Sequence, residues 1–219
     1  ALAPVHVWTD GSFKLDTADG IHKATYALWY GWEDERNAAF VVSAKKSTIN
    51  FAELAAMLEV LSRHEFENVV IYSDSKCSID TLKSISKLSM KTWRRHNQHI
   101  LLASLRRLLR RRQIMGLTLK LQKVLAHSGV VGNECADALC NHAHDGTDPA
   151  EQLAELRRKY DPLYTGEIRF ASRFSSGLYA TSDRYALAAT LNALLPILAP
   201  ALDLVNERDC LYDAVREMR

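Results

Sequence analysis

The hydrophobic period of this chain first changes between residues 44 and 50, and that change limits the architecture more than any other property. Up to residue 44 the apolar residues fall in short β-prone runs, Val5–Trp8, Thr25–Trp32 and Ala39–Ala44. Thr9-Asp10-Gly11-Ser12 closes the first as a turn signal, and the polar stretch Asp34–Asn37 joins the other two as a hairpin. From Asn50 to His64 the spacing becomes helical, with Phe51, Leu54, Met57, Leu58 and Leu61 on one face. Val69–Tyr72 is then a brief continuous apolar run, as in a strand buried on both faces. Such a strand between helical segments has to be reached by crossovers.

The remaining elements follow the same logic. Asp74-Ser75 caps a helix to about Ile85, and Lys91–Arg112 is a long helical stretch. Leu117–Leu125 alternates as a strand, and Asn133–Ala143 is helical. The predicted order is β-β-β-α-β-α-α-β-α. Hairpin strands followed by strands with helical crossovers imply an α/β fold with a five-stranded mixed sheet flanked by helices.

After Gly146 the texture changes, and Asp148-Pro149 reads as a boundary, dividing the chain into 1–147 and a helical extension, 148–219. The extension is read as a charged helix over Pro149–Tyr160, an irregular stretch from Gly166 to Gly177, and helices over Ser182–Leu195 and Ala201–Met218. Ala186–Val205 approaches membrane-spanning length, but Asn192, Pro196, Pro200 and Asp203 interrupt it, so no membrane span is expected. Its apolar surface needs cover, from the rest of the chain, another copy or a larger polypeptide; a partner-binding or tethering role is expected.

Composition sets looser bounds. Lys and Arg number 28 against 26 Asp and Glu, so net charge alone demands no nucleic-acid partner. Four cysteines without a CxxC pair or zinc-finger spacing, and no apolar leader, fit a reduced intracellular compartment. The charge distribution says more. Lys91, Arg94, Arg95, Arg106, Arg107, Arg110 and Arg111 form the densest basic region, opposite a stripe of Leu101, Leu102, Leu105, Leu108 and Leu109. It reads as a phosphate track or as a solvated helix face, and the track is the reading favoured here. Trp93 within it stacks on a sugar or base in the first case and is buried in the second.

Four acids stand out by position. Asp10 ends the first strand, Glu53 lies in the first turn of a helix, Asp74 follows the buried strand, and Asp137 lies early in a helix after a glycine-containing loop. Any one alone reads more readily as a cap or a solvated charge. Together they form a set that stays ionised only with cations to compensate it. Oxygen-only ligands favour two Mg²⁺, with Mn²⁺ as substitute, over zinc, in the arrangement used for phosphoryl transfer.

These residues sit in segments that resemble type 1 ribonuclease H. The segments are Thr9-Asp10-Gly11-Ser12, Asn50-Phe51-Ala52-Glu53-Leu54, Tyr72-Ser73-Asp74-Ser75 and the run from Ala126 to Leu139. The last looks most like the ribonuclease H domains of retroelement reverse transcriptases. The resemblance covers about Val5 to Ala143 and implies that residues 1–147 form a ribonuclease H catalytic domain. It implies an endonuclease that hydrolyses the RNA strand of RNA–DNA hybrids with two metal ions, leaving 5′-phosphate and 3′-hydroxyl ends. Asp10, Glu53, Asp74 and Asp137 match the metal-binding acids, and His127, ten residues before Asp137, matches the loop histidine that moves protons. Gly11, Ser12, Asn50 and Ser75 match substrate-side positions, and Asn133 matches a residue that braces the final loop and helix.

Water activated in this way needs no nucleophilic side chain, which removes Ser12, Ser75 and Ser128 from that role. Strand choice is expected to rest on 2′-hydroxyls. Two departures stand out: Ile49 replaces an amide that touches the hybrid, and Cys135 replaces a basic residue. An inert ribonuclease H-like scaffold within a polymerase or ribonucleoprotein complex is the alternative, disfavoured because no acid is lost. An integrase, resolvase or exonuclease on the same fold is disfavoured by Glu53 and by the His127 to Asp137 segment. Fusion to, or association with, a reverse transcriptase through residues 148–219 is a further expectation.

Overall fold

The computed structural model describes residues 3–15, 22–43, 48–88 and 98–161. Within them β1 (Val5–Leu15), β2 (His22–Trp29) and β3 (Ala38–Ser43) are followed by helix α1 (Ile49–Arg63), β4 (Val69–Ser73) and α2 (Lys76–Ser84). A 3-10 turn (Ile85–Lys87), α3 (His99–Ile114), β5 (Leu119–Lys123), α4 (Val131–Asp145) and α5 (Ala150–Tyr160) complete the chain. The sheet runs β3-β2-β1-β4-β5. β1 pairs antiparallel with β2, and β2 with β3. β4 lies parallel to both β1 and β5. The expected α/β architecture, with a mixed five-stranded sheet and flanking helices, is the one observed.

Alternation along the strands builds two cores. Ala24, Tyr26 and Leu28 of β2 and Phe40 and Val42 of β3 face α1, α2 and α3, against Leu54, Met57, Leu61, Ile79, Leu102 and Leu105. Ala27, Trp29 and Ala39 face the opposite way, against Cys135, Leu139 and Cys140 of α4 and Leu153 of α5. Both faces of the central strands are therefore covered, as their near-continuous apolar character requires.

Three boundaries differ from expectation. The turn signal at Thr9–Ser12 does not end β1: the strand runs on to Leu15, because residues through Leu15 keep pairing with β2 as far as His22. Ladder hydrogen bonds outweigh a local turn preference. The long basic helix, expected from Lys91, is seen from His99; residues 89–97, with Arg94 and Arg95, lie outside the described residues. The charged helix after Pro149 is present, but it is not detached. Leu153 is fully buried in the second core, with Leu156 and Trp32 packed against it. The elements expected beyond residue 161, and the apolar stretch Ala186–Val205, lie outside the described residues. Among the described residues no helix is long and apolar enough to cross a membrane.

Candidate active site

Strand register brings the first two acids together. The parallel pairing of β1 with β4 ends at Thr9 opposite Ser73, so Asp10 and Asp74 are the next residues on adjacent chains. β1 continues beyond that point and β4 does not, so β1 has no parallel partner on that side from Asp10 onward. Asp10 is therefore not a strand terminus, as expected from sequence; it lies where its neighbour strand stops.

Helix α1 supplies the third acid. Thr48 caps it, its hydroxyl accepting from the Phe51 amide at 3.1 Å. The first turn then lies directly on the β1 backbone. A Cβ on Gly11 would come within 2.5 Å of the Glu53 amide nitrogen. Only glycine permits that approach, and it sets Glu53 over Asp10 and Asp74. Ligand oxygens of Asp10, Glu53 and Asp74 lie within 4.8 Å of one another.

Helix α4 closes the site from the other face. The Asn133 side-chain amide donates to Asp74 Oδ2 at 3.0 Å. The Cys140 thiol donates to the Asp10 carbonyl at 3.4 Å. Asn133 is buried, and its side chain holds the Asp74 carboxylate in place. Asp137 stands outside the tight group of three, yet near enough for its charge to act on Asp10.

The electrostatics are those of uncompensated carboxylates. Burial, and then the charges of Asp74 and Asp137, push the Asp10 carboxyl up to about 8. Burial and the charges of Asp10 and Asp74 push Glu53 well above its ordinary value. Asp137 is raised chiefly by burial, with nearby His127 opposing the shift. One oxygen of Glu53 is buried without a hydrogen-bond partner. A buried acceptor left alone is costly, and a cation is the partner that satisfies it and the neighbouring charges together. The donor set is all oxygen, so the residues fit a hard divalent ion.

The substrate-side residues divide. Asn50 and Ser75 are joined through Ser78, whose hydroxyl donates to Asn50 Oδ1 at 3.2 Å. The Ser75 hydroxyl donates to Ser78 Oγ at 2.9 Å and also caps α2 by accepting from the Ser78 amide at 3.3 Å. The sequence reading missed Ser78; its position three residues after a cap residue was the available signal. Ser12 is half-buried within β1, and Ile49 is exposed at the start of α1 beside Asn50. His127 is exposed in the loop before α4.

The basic helix sits elsewhere. α3 runs alongside α1 in the same direction: Gln98 Nε2 donates to Thr48 Oγ1 at 3.1 Å at one end, and Arg112 Nη1 to the His64 carbonyl at 2.7 Å at the other. Arg110 and Arg111 thus lie toward the far end of α1, about 16 Å from the level of Glu53 by helix rise. Arg111 pairs with Glu65 and lies over the Phe66 ring.

A family model described as RNase H matches residues 3–145. The chain belongs to the RNase H family. The resemblance in the four acid-bearing segments holds at that level. No curated protein matches the chain. Similar solved structures include LC9-RNase H1, described as a type 1 RNase H with the type 2 active-site motif, at 18% identity over 83% of this chain and 96% of that one, TM-score 0.48. RNase H1 from the halophilic archaeon Halobacterium salinarum NRC-1 is similar at 24% identity over 66% of this chain and 100% of that one, TM-score 0.42. The PFV RNase H domain is similar at 13% identity over 65% of this chain and 95% of that one, TM-score 0.48.

Proposed function

We propose that this RNase H-family chain is a metal-dependent endoribonuclease that hydrolyses the RNA strand of RNA–DNA hybrids, leaving 5′-phosphate and 3′-hydroxyl ends. The observation that carries the reading is the group of Asp10, Glu53 and Asp74, with ligand oxygens within 4.8 Å of one another. Two Mg²⁺ ions, or Mn²⁺ in their place, supply charge compensation, water activation and stabilisation of the leaving oxygen when bound. Asp10, Glu53 and Asp74 would hold them, with Asp137 as the outer acid. Asn133 fixes the orientation of Asp74, as partners of ligating carboxylates do. His127, exposed beside Asp137, takes and returns protons.

Gly11, Ser12, Asn50 and Ser75, neighbours of the acids in sequence, read the RNA sugar and backbone. Ser78 fixes Asn50 and Ser75 relative to each other. Arg106, Arg107, Arg110 and Arg111 contact phosphates remote from the cut, Arg94 and Arg95 extending the track, and affinity falls with salt accordingly. A tethering role, to a polymerase or another protein, falls on the C-terminal extension, residues 148–219.

The test is cleavage of labelled RNA–DNA hybrid in Mg²⁺, beside Asp74→Asn and an EDTA control. Wild-type cleavage that EDTA abolishes, with a loss of roughly 10³-fold or more in Asp74→Asn, is the expected outcome, since metal-site charge stabilisation supplies several kcal/mol. Equal cleavage by Asp74→Asn, or none by the wild type, sinks the reading.

A further inference from the structure

The loop that carries His127 is held in part by residues outside the family-matched segment. Between β5 and α4, His127 has φ 48° and Gly129 has φ 82°. Left-handed backbone at a residue with a side chain is strained and persists only where the surroundings enforce it. The enforcing contacts are specific. The Ser128 hydroxyl donates to the Leu125 carbonyl at 2.8 Å. The Gly129 amide donates to Glu134 Oε1 at 2.9 Å. The other Glu134 oxygen accepts from Lys159 Nζ at 3.2 Å. One carboxylate therefore ties the loop to the last turn of α5.

Tyr160 completes the arrangement. Its buried hydroxyl makes no hydrogen bond of good geometry, yet a Cβ on Gly129 would lie 3.6 Å from it. The Lys159 ammonium lies 4.8 Å from the centre of the Tyr160 ring. Burial alone would raise the Glu134 carboxyl, but Tyr160, Lys159 and the Gly129 amide hold it below its ordinary value. α5 is itself anchored. Leu153 is buried in the second core, Arg157 lies over the Trp32 ring at 4.8 Å, and Gln152 meets His142 Nε2 at 2.8 Å.

We propose that α5, which follows the matched residues 3–145, is a clamp that positions the His127 loop through Glu134, with Lys159 and Tyr160 as positioning residues. The proposal rests on the reading of His127 as the proton-moving residue. Lys159 reaches Glu134 from the solvent side, where an ion pair adds little to stability, so its effect should fall on loop geometry and not on the fold.

The test uses the full chain carrying Lys159→Met with Tyr160→Leu. Hybrid cleavage should lose about tenfold in kcat with KM within about twofold, part of the roughly 10²–10⁴-fold that a positioned acid–base group supplies. Exchange of the Gly129 amide, followed by NMR, should speed up several-fold while amides of the sheet do not change. Lys159→Arg, which keeps the ion pair, should restore kcat when combined with the native Tyr160. Unchanged kcat and unchanged Gly129 exchange in the double variant would overturn the clamp. A uniform rise in exchange across the sheet, with a matching fall in thermal midpoint, overturns it too, since that marks a purely structural helix. If the wild type itself does not cleave, the nuclease reading falls, and Gly129 exchange still decides the clamp.

Discussion

Two buried glutamates on one helix show how differently a fold treats the same side chain. Glu53 and Glu59 are both on α1, 5% and 7% exposed. Glu59 is partnered: Arg63 Nε donates to it at 2.9 Å and the Tyr26 hydroxyl approaches at 3.5 Å. Glu53 faces two more carboxylates, and one of its oxygens has no partner. The contrast extends to the two ends of α1. At the far end His64 meets Glu67 and the Tyr30 hydroxyl, and Arg112 donates to the carbonyls of His64, Glu67 and Thr118. There, most buried polar groups are matched by hydrogen bonds, with Arg112 Nε left over. At the acid end one Glu53 oxygen is left unmatched beside two further carboxylates, an arrangement that could hold a cation.

The largest stability effect should come from the matched end. Arg112→Met removes three hydrogen bonds to carbonyls, of which those of His64 and Thr118 keep a backbone donor, and should cost about 3 kcal/mol, seen as a lower urea midpoint. If the loss is under about 1 kcal/mol, the far end is not the stabilising end, and the contrast breaks.

The glutamates themselves should then differ in sign. Glu59→Gln weakens a buried charged bond and should cost about 1–2 kcal/mol. Glu53 has a folded carboxyl raised well above its ordinary value, and Asp10 one raised to about 8. Their protonated forms therefore favour folding below the ordinary carboxylate range. That contribution is lost as pH rises through the raised values. In EDTA, the thermal midpoint should fall between about pH 4 and pH 8. Over the same span Glu53→Gln should change from neutral to stabilising, while losing cleavage. Mg²⁺ should restore the wild-type midpoint at pH 8. A flat pH profile in EDTA would show that the acids are not electrostatically frustrated.

The smallest effect should come from Ser78→Ala. Cutting the link between Asn50 and Ser75 should cost about 1 kcal/mol or less in stability and raise KM for hybrid more than it lowers kcat. A change confined to kcat would place Ser78 with the acids instead.

Much of this was legible before any coordinates. The switch from alternating to helical spacing at Asn50 marked where hairpins give way to crossovers, and α1 and β4 fall within one residue of the expected bounds. The acids were found because their segments carry local motifs. Less legible were contacts between distant residues. Nothing near Arg112 announces that it turns inward while Arg111 beside it pairs at the surface. Nor does the charged sequence of Ala150–Tyr160 reveal that Leu153 is fully buried. Helical spacing gives the width of an apolar face, and a single leucine in a polar helix is too narrow a signal.

By itself the sequence determined the element order, the family and which acids are candidates, because periodicity and short motifs are local properties. Only the tertiary structure decided that Asp10 lies mid-strand where β4 stops, that Gly11 is needed to seat α1, and that α5 reaches the His127 loop through Glu134. Each of these depends on register or on close packing between segments far apart in the chain, and such distances are fixed only when the sheet and its two helical layers close on one another.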